Sequence, residues 1–206
     1  TIFGATGRTG QHLLRQALQA GHQVTVLVRD PAKLAARDAR VRVVKGSLQD
    51  AACVDQAVAG ADAVISVLGP SNNQPSFDIS RGMGVIIQAM KARGVQRLVI
   101  SAGAGVGDPQ DAPGLFNRVM NVLLKTAAKN VYEDMLRTVS LVRESGLDWT
   151  VVRVPMLTDA AASGQIKVGM VGKGMGPRIS RADMADFLLK QAASQEFSGK
   201  APAISN

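Results

Sequence analysis

Aromatic residues are scarce in this chain, making up 3% of 206 residues, with one tryptophan and one tyrosine. That speaks against a single-stranded nucleic-acid surface, which needs rings on which bases can stack. Cysteine is scarcer still. Cys53 stands alone, so no internal disulfide can form and a reducing, cytoplasmic setting is expected. The thiol itself reads as a small buried apolar group. The only two histidines, His12 and His22, have no partners at metal or triad spacing, so no metal is expected. No apolar run approaches the ~18 residues of a membrane span, so no membrane partner is expected. No signal-peptide pattern is visible. The chain does open in mid-strand, at Thr1-Ile2-Phe3, which leads us to expect residues upstream of Thr1.

Positive charge is in excess, at +8. A polyanionic partner is therefore allowed, but the lysines and arginines are scattered with no run longer than two. That pattern does not predict nucleic-acid binding; part of the excess suits a smaller polyanion, a phosphorylated cofactor. With 46% apolar residues, the chain can fill the core of one domain, expected to be a monomer or weak homo-oligomer.

Short β-branched runs alternate with longer helical patterns. Residues 23–29, 41–45, 63–68, 97–101 and 149–153 read as strands. Residues 8–20 carry Leu13, Leu14, Ala17 and Leu18 on one face and stop at Gly21. Asp50 caps a helix over 51–59 that stops at Gly60. Further helices are predicted over 77–93, over 115–145 as one or two pieces, and over 181–193 with Ser180 as a cap. Regular β-α-β alternation with nearly all-apolar strands predicts a parallel sheet covered on both faces, here a single doubly wound (Rossmann) α/β domain spanning 1–206. Residues 154–206, too short for a second domain, are expected to complete the substrate cleft.

Gly4, Gly7 and Gly10 fall between the first strand and the first helix. That context gives a glycine triplet its meaning: a sharp turn, a bare backbone beside a phosphate, and close helix–sheet packing. The loop Gly4, Thr6, Gly7, Arg8, Thr9 and Gly10 is thus predicted to hold a dinucleotide pyrophosphate over the helix N-terminus. The end of the second strand faces the adenosine ribose. Arg29 stands there, and a guanidinium favours a 2′-phosphate, whereas a carboxylate would repel it. Arg8 and Lys33 can close on the same group. Asp30 reads as the cap of a helix starting at Pro31, although a strand one residue longer would make it the ribose acid. NADP(H) is therefore preferred, with NAD(H) possible. Ser47 and Leu48 should flank the adenine, Leu68 and Gly69 lie near the nicotinamide ribose and pyrophosphate, and Ser101, Pro155, Met156 and Leu157 border the nicotinamide.

The segments TIFGATGRTG, VTVLVRDPAKL, ADAVISVLG, VRESGLDWTVVR and ISRADMADFLL, in that order, resemble the atypical short-chain dehydrogenases of the NAD(P)H-binding, NmrA-like family, on its flavin-reductase side. The resemblance spans nearly the whole chain. It implies one NADP-binding domain with a shallow pocket over the nicotinamide, in a family whose members reduce flavins, quinones or tetrapyrroles while others only sense the cofactor. There are departures. The tyrosine–lysine pair of many short-chain dehydrogenases is missing: Tyr132 is followed four residues on by Leu136, and Lys129 precedes it. The serine-rich end of strand five is thinned to Ser101-Ala102-Gly103, with Gly103 where a pocket serine is expected. The family's Arg-Pro-Gly appears as Arg153-Val154-Pro155, and Ser47 replaces an acidic residue. Ser101 is left as the one candidate for a catalytic role.

These readings predict a reductase that passes hydride from NADPH to a planar small-molecule acceptor, such as a flavin, quinone or tetrapyrrole. The alternative is a non-catalytic sensor acting on a protein partner, through residues 102–130. VGKGMG (171–176) lacks the Lys-Ser/Thr of a phosphate loop and reads as a connection bordering the pocket. Met156, Met170 and Met175 are candidates either for an adaptable rim or for ordinary core packing.

Overall fold

The computed structural model describes residues 1–34, 38–70, 73–112, 114 and 126–206. Strand β1 (Ile2–Phe3) runs through the glycine turn into helix α1 (Arg8–Gln19). Then follow β2 (Val24–Val28), β3 (Val41–Lys45), α2 (Ala51–Val58), β4 (Ala63–Ser66), α3 (Asp78–Ala92), β5 (Arg97–Gly103), α4 (Lys129–Arg143) and β6 (Asp148–Val154). The last stretch holds β7 (Met156–Thr158), β8 (Lys167–Gly169), β9 (Arg178–Ser180), α5 (Arg181–Ala193) and β10 (Ala203–Ser205). Of the helix expected over 115–145, residues 115–125 lie outside the described residues.

Eight strands form one sheet in the order β3-β2-β1-β4-β5-β6-β10-β8. All neighbours are parallel except β8, which runs antiparallel to β10. The sheet is doubly wound, as expected. Alternation along the strands divides the core between the two faces. Val24, Val26 and Val28 pack with α1 and α5 on one face. Leu27, Leu98 and Ile100 pack with α2, α3 and α4 on the other. Leu13 and Leu14 of α1 are fully buried, each worth about 1.5–3 kcal/mol. The chain winds outward from β1 to β3 and then crosses to β4. The C-terminal ends of β1 and β4 therefore flank the crevice where such sheets bind ligands.

The expected caps are in place. Asp50 accepts from the amides of Ala52 (3.1 Å) and Cys53 (3.2 Å). The Ser180 hydroxyl accepts from the Asp183 amide at 3.0 Å. Asp30 accepts from the Ala32 amide at 3.0 Å, but the helix it caps is a single 3-10 turn, Pro31–Lys33.

The tail does more than border a cleft. β10 extends the sheet beside β6, β8 covers that edge, and β7 pairs with β9 in a separate two-stranded sheet. None of these strands was legible in the sequence. Three residues are too few to display a period, and their pairing is settled by what lies beside them. Arg153 secures this edge. Its side chain is fully buried, with Nε donating to the Ala201 carbonyl at 2.7 Å and the guanidinium clasping both carboxylate oxygens of Asp111.

Candidate functional site: a cleft across the strand ends

The glycine turn is built as its spacing predicts. Gly4 has φ +91°, and a Cβ there would lie 2.9 Å from the Val67 carbonyl oxygen. At Gly10 a Cβ would fall 2.0 Å from the Gly4 oxygen, so any side chain would push α1 off the turn. Gly7 is the N-cap of α1, and no side chain caps this helix and no acidic residue stands in its first turn. The first amides of a helix have no intrahelical acceptor. Here they are left facing outward with the positive end of the dipole. A cradle that side chains would fill, open at Gly7, fits a dinucleotide pyrophosphate.

From this turn a cleft runs in both directions. The part beside β2 and β3, where the adenosine is expected, is about 210 Å³ and is lined by Gly4, Thr6, Arg29, Ser47, Leu48 and Gly69, among others. The part beside β5 and β6, where the nicotinamide and acceptor are expected, is about 310 Å³ and is lined by Thr9, Gly69, Ser101, Pro155 and Leu157 together with apolar side chains. Leu68, Gly69, Pro70, Ile79, Val131 and Asp134 line both parts, so the two are continuous. Most of the expected site residues thus converge.

Others do not line it. Lys33 sits exposed on the 3-10 turn, and Met156 is 59% exposed. A strand alternates its faces: with Leu157 turned to the cleft, its neighbour Met156 turns away. Arg8 is drawn off by Asp159 (3.0 Å), which also holds Arg181 (2.7 Å). Gly7 and Gly10 contribute backbone geometry rather than lining surface. Tyr132 lies outside the lining, its hydroxyl donating to the Gly105 carbonyl at 3.4 Å. Ser101 does line the cleft, and among the described residues nothing hydrogen-bonds its hydroxyl.

The expected methionine rim is elsewhere. Met170 and Met175 are half-buried away from the cleft, Met170 against Arg153. The methionines that do line it are Met83, Met135 and Met184. Segment 171–176 does not border the cleft either; the Val171 amide is tied to Asp111 at 2.9 Å.

Sequence reasoning also missed Ser66 and Asp134. The clue to Asp134 is its place on an apolar helix face. Asp134, Thr138 and Val142 are buried at four-residue intervals along α4. Its carboxylate accepts from the amides of Ile79 (3.2 Å) and Ser80 (2.9 Å). Met135 Sδ accepts from the Gly103 amide at 3.1 Å, fixing the end of β5.

Two carboxylates outside the lining of the cleft have shifted pKa values. Burial works to raise the Asp111 pKa, but the Arg153 guanidinium and the Val171 and Asp108 amides outweigh it and hold the carboxyl below its ordinary range. Asp183 behaves likewise: burial is overcome by the Ser163 and Gly164 amides and the Ser180 and Ser163 hydroxyls. Cys53 is half-buried and packs against Gly46. Its thiol pKa is raised by the hydrogen bond to Asp50, by burial and by the Asp50 charge, so thiolate chemistry is suppressed. Among the described residues no group of three or more His, Cys, Asp and Glu is placed to hold a metal, and no helix is long and apolar enough to cross a membrane.

Comparison with known proteins agrees with this architecture. A family model described as NAD(P)H-binding matches residues 4–195. The oxidoreductase aflX of Aspergillus parasiticus is 30% identical over 158 residues, covering 69% of this chain and 58% of its own length. The chain spans less than half of the next two curated relatives. Among solved structures, a short-chain dehydrogenase/reductase of Veillonella parvula in complex with NADP superposes with TM-score 0.80 at 20% identity, over 100% of this chain and 93% of that one. The anaerobillin reductase ChuY of Escherichia coli gives 0.77 at 21% identity, over 99% and 95%. At these identities the structural likeness establishes the fold.

Proposed function

The chain belongs to the NAD(P)H-binding family, and from that premise we propose that it is an NADPH-dependent reductase delivering hydride to a planar acceptor. The observation that carries this is the continuous cleft, with an anion-receptive, uncapped helix N-terminus and Arg29 on one side and an apolar slot on the other. Bound there, NADPH would supply two electrons as hydride from its nicotinamide. The amides at the start of α1 hold the pyrophosphate. Arg29 gives charge-assisted hydrogen bonds to the 2′-phosphate. Ser101, Pro155 and Leu157 border the reacting ring, and the methionines and aliphatic side chains exclude water beneath the acceptor.

No tyrosine–lysine pair enters the cleft to donate a proton. A flavin, quinone or tetrapyrrole takes its proton from water once hydride has arrived, so the protein contributes proximity and orientation. A neighbour of the same fold is an anaerobillin reductase, which supports keeping tetrapyrrole-like acceptors among the candidates.

The test has two stages. NADPH and NADH are titrated by fluorescence, and NADPH consumption is then followed with FMN, simple quinones and a linear tetrapyrrole. The proposal expects binding and steady turnover with at least one acceptor. Tight binding without turnover across the panel would replace it with a sensor that reports the cofactor's redox state to a protein partner. Absence of any binding would sink both.

A further inference from the structure

The N-termini of α1 and α3 both open onto the cleft, and they are treated in opposite ways. That of α1 is capped by no side chain. That of α3 begins at Phe77, which has φ +50° and a side chain with no acceptor to cap the helix. Its amides are instead satisfied from another helix. Asp134 of α4 reaches across with both oxygens, Oδ2 to Ile79 (3.2 Å) and Oδ1 to Ser80 (2.9 Å), while Asp78 adds a second negative charge in the first turn. The arrangement is braced from both sides. Asn73, in the loop before α3, returns the favour by accepting from the Val131 amide of α4 at 3.2 Å. Arg137, one turn beyond Asp134, lies 3.8 Å over the Phe77 ring.

Asp134 is 8% exposed and lines both parts of the cleft. Each carboxylate oxygen can accept about two hydrogen bonds, and each accepts one from an α3 amide. The remaining capacity belongs to whatever ligand crosses the junction. A carboxylate there repels phosphate and welcomes a neutral donor. The pyrophosphate rests on α1 and the adenosine half extends toward β2. The group crossing to the β4–β5 side is therefore the second ribose, which offers hydroxyls.

We propose that Asp134 is a cofactor-binding residue that sets the register of the dinucleotide: its carboxylate accepts from a hydroxyl of the nicotinamide ribose and, by closing the α3 N-terminus, confines the phosphates to α1. This rests on the cofactor reading above. It adds a side chain of α4 that touches the ligand, whereas Asn73 acts only on the helices.

The test compares two ligands on three proteins. NADPH carries the nicotinamide ribose, and adenosine 2′,5′-bisphosphate does not. Asp134→Asn is expected to weaken NADPH binding about tenfold or more, the loss of a charged hydrogen bond, and to leave the bisphosphate within about twofold. Asn73→Ala, which loosens the same helix pair without touching the ligand, should leave the ratio of the two affinities unchanged. Should Asp134→Asn fail to give a cooperative melt, Asp134→Ser, whose hydroxyl still accepts from an α3 amide, carries the same comparison. The proposal is overturned if the Asp134 variant loses both ligands equally or neither, or if Asn73→Ala shifts the ratio as far. A wild-type protein that binds neither ligand overturns the cofactor reading itself; wild-type binding with an unaltered variant overturns only the ribose contact.

Discussion

The adenosine side and the acceptor side of the cleft are built by different means. On the adenosine side the working parts are backbone: a turn that tolerates no side chain at Gly10, amides at the start of α1, and strand ends at Arg29 and Ser47. The turn, the helix start and these two strand ends lie within the first fifty residues, and Leu68, Gly69, Asp78, Ile79 and the start of α4 complete the lining. The acceptor side is made of side chains, drawn from β4, β5, α3, α4, β7 and α5. Outside that lining, at the β6–β10 edge of the sheet, lies a buried ion pair, Arg153–Asp111, whose partners lie in β6 and in the loop after β5. Backbone geometry depends on a few local residues and is hard to vary, whereas side-chain walls can be exchanged one at a time. The contrast suits a family that keeps one cofactor cradle while its acceptors differ.

The largest expected break lies at that ion pair. Asp111→Ala leaves the fully buried Arg153 unpaired, and should cost about 3–5 kcal/mol of stability by chemical denaturation. The protein that remains folded should keep its affinity for adenosine 2′,5′-bisphosphate. The same pair gives an acid-sensitive term. Because the folded Asp111 pKa lies below its unfolded value, the unfolded chain takes up the proton first. The stabilisation is present above about pH 4 and lost as pH falls through the folded pKa. Asp111→Asn should flatten that acid limb in a melting-temperature profile.

Gly10→Ala attacks the other side. With a Cβ set 2.0 Å from the Gly4 oxygen, a loss of about 3 kcal/mol is expected, and cofactor titration should fail even in protein that still melts cooperatively. A variant that binds as tightly as wild type would erase the distinction between a backbone-made and a side-chain-made half.

Arg29→Ala sharpens the contrast without breaking the fold. NADPH affinity should drop by about 1.5–3 kcal/mol and NADH affinity much less; equal losses would remove Arg29 from the 2′-phosphate. The smallest effect is expected at Arg8. Its ion pair with Asp159 is 70% and 61% exposed, so Arg8→Ala should change thermal stability by less than about 0.5 kcal/mol.

What could be read beforehand follows the same division. The strand–glycine–helix unit, the caps at Asp50 and Ser180 and the apolar alternation of β2 are patterns a few residues long. Each carries its own geometry through steric limits and hydrogen bonding between near neighbours. Lys33 and Met156 were expected at the site and do not line the cleft, because that depends on which way a side chain points. One residue of register on β7 was enough to turn Met156 outward while Leu157 lines the cleft.

By itself, the sequence determined the doubly wound sheet, the glycine turn before α1 and the place of Arg29, because local steric and periodic constraints allow few other backbones. Only the tertiary structure decided that Asp134 would cap α3 across a gap in the chain, that Arg153 would find Asp111, and that β10 and β8 would finish the sheet. Those contacts join segments from about forty to more than fifty residues apart. No local propensity encodes such a distance, and it is packing of the two faces around one sheet that brings the partners together.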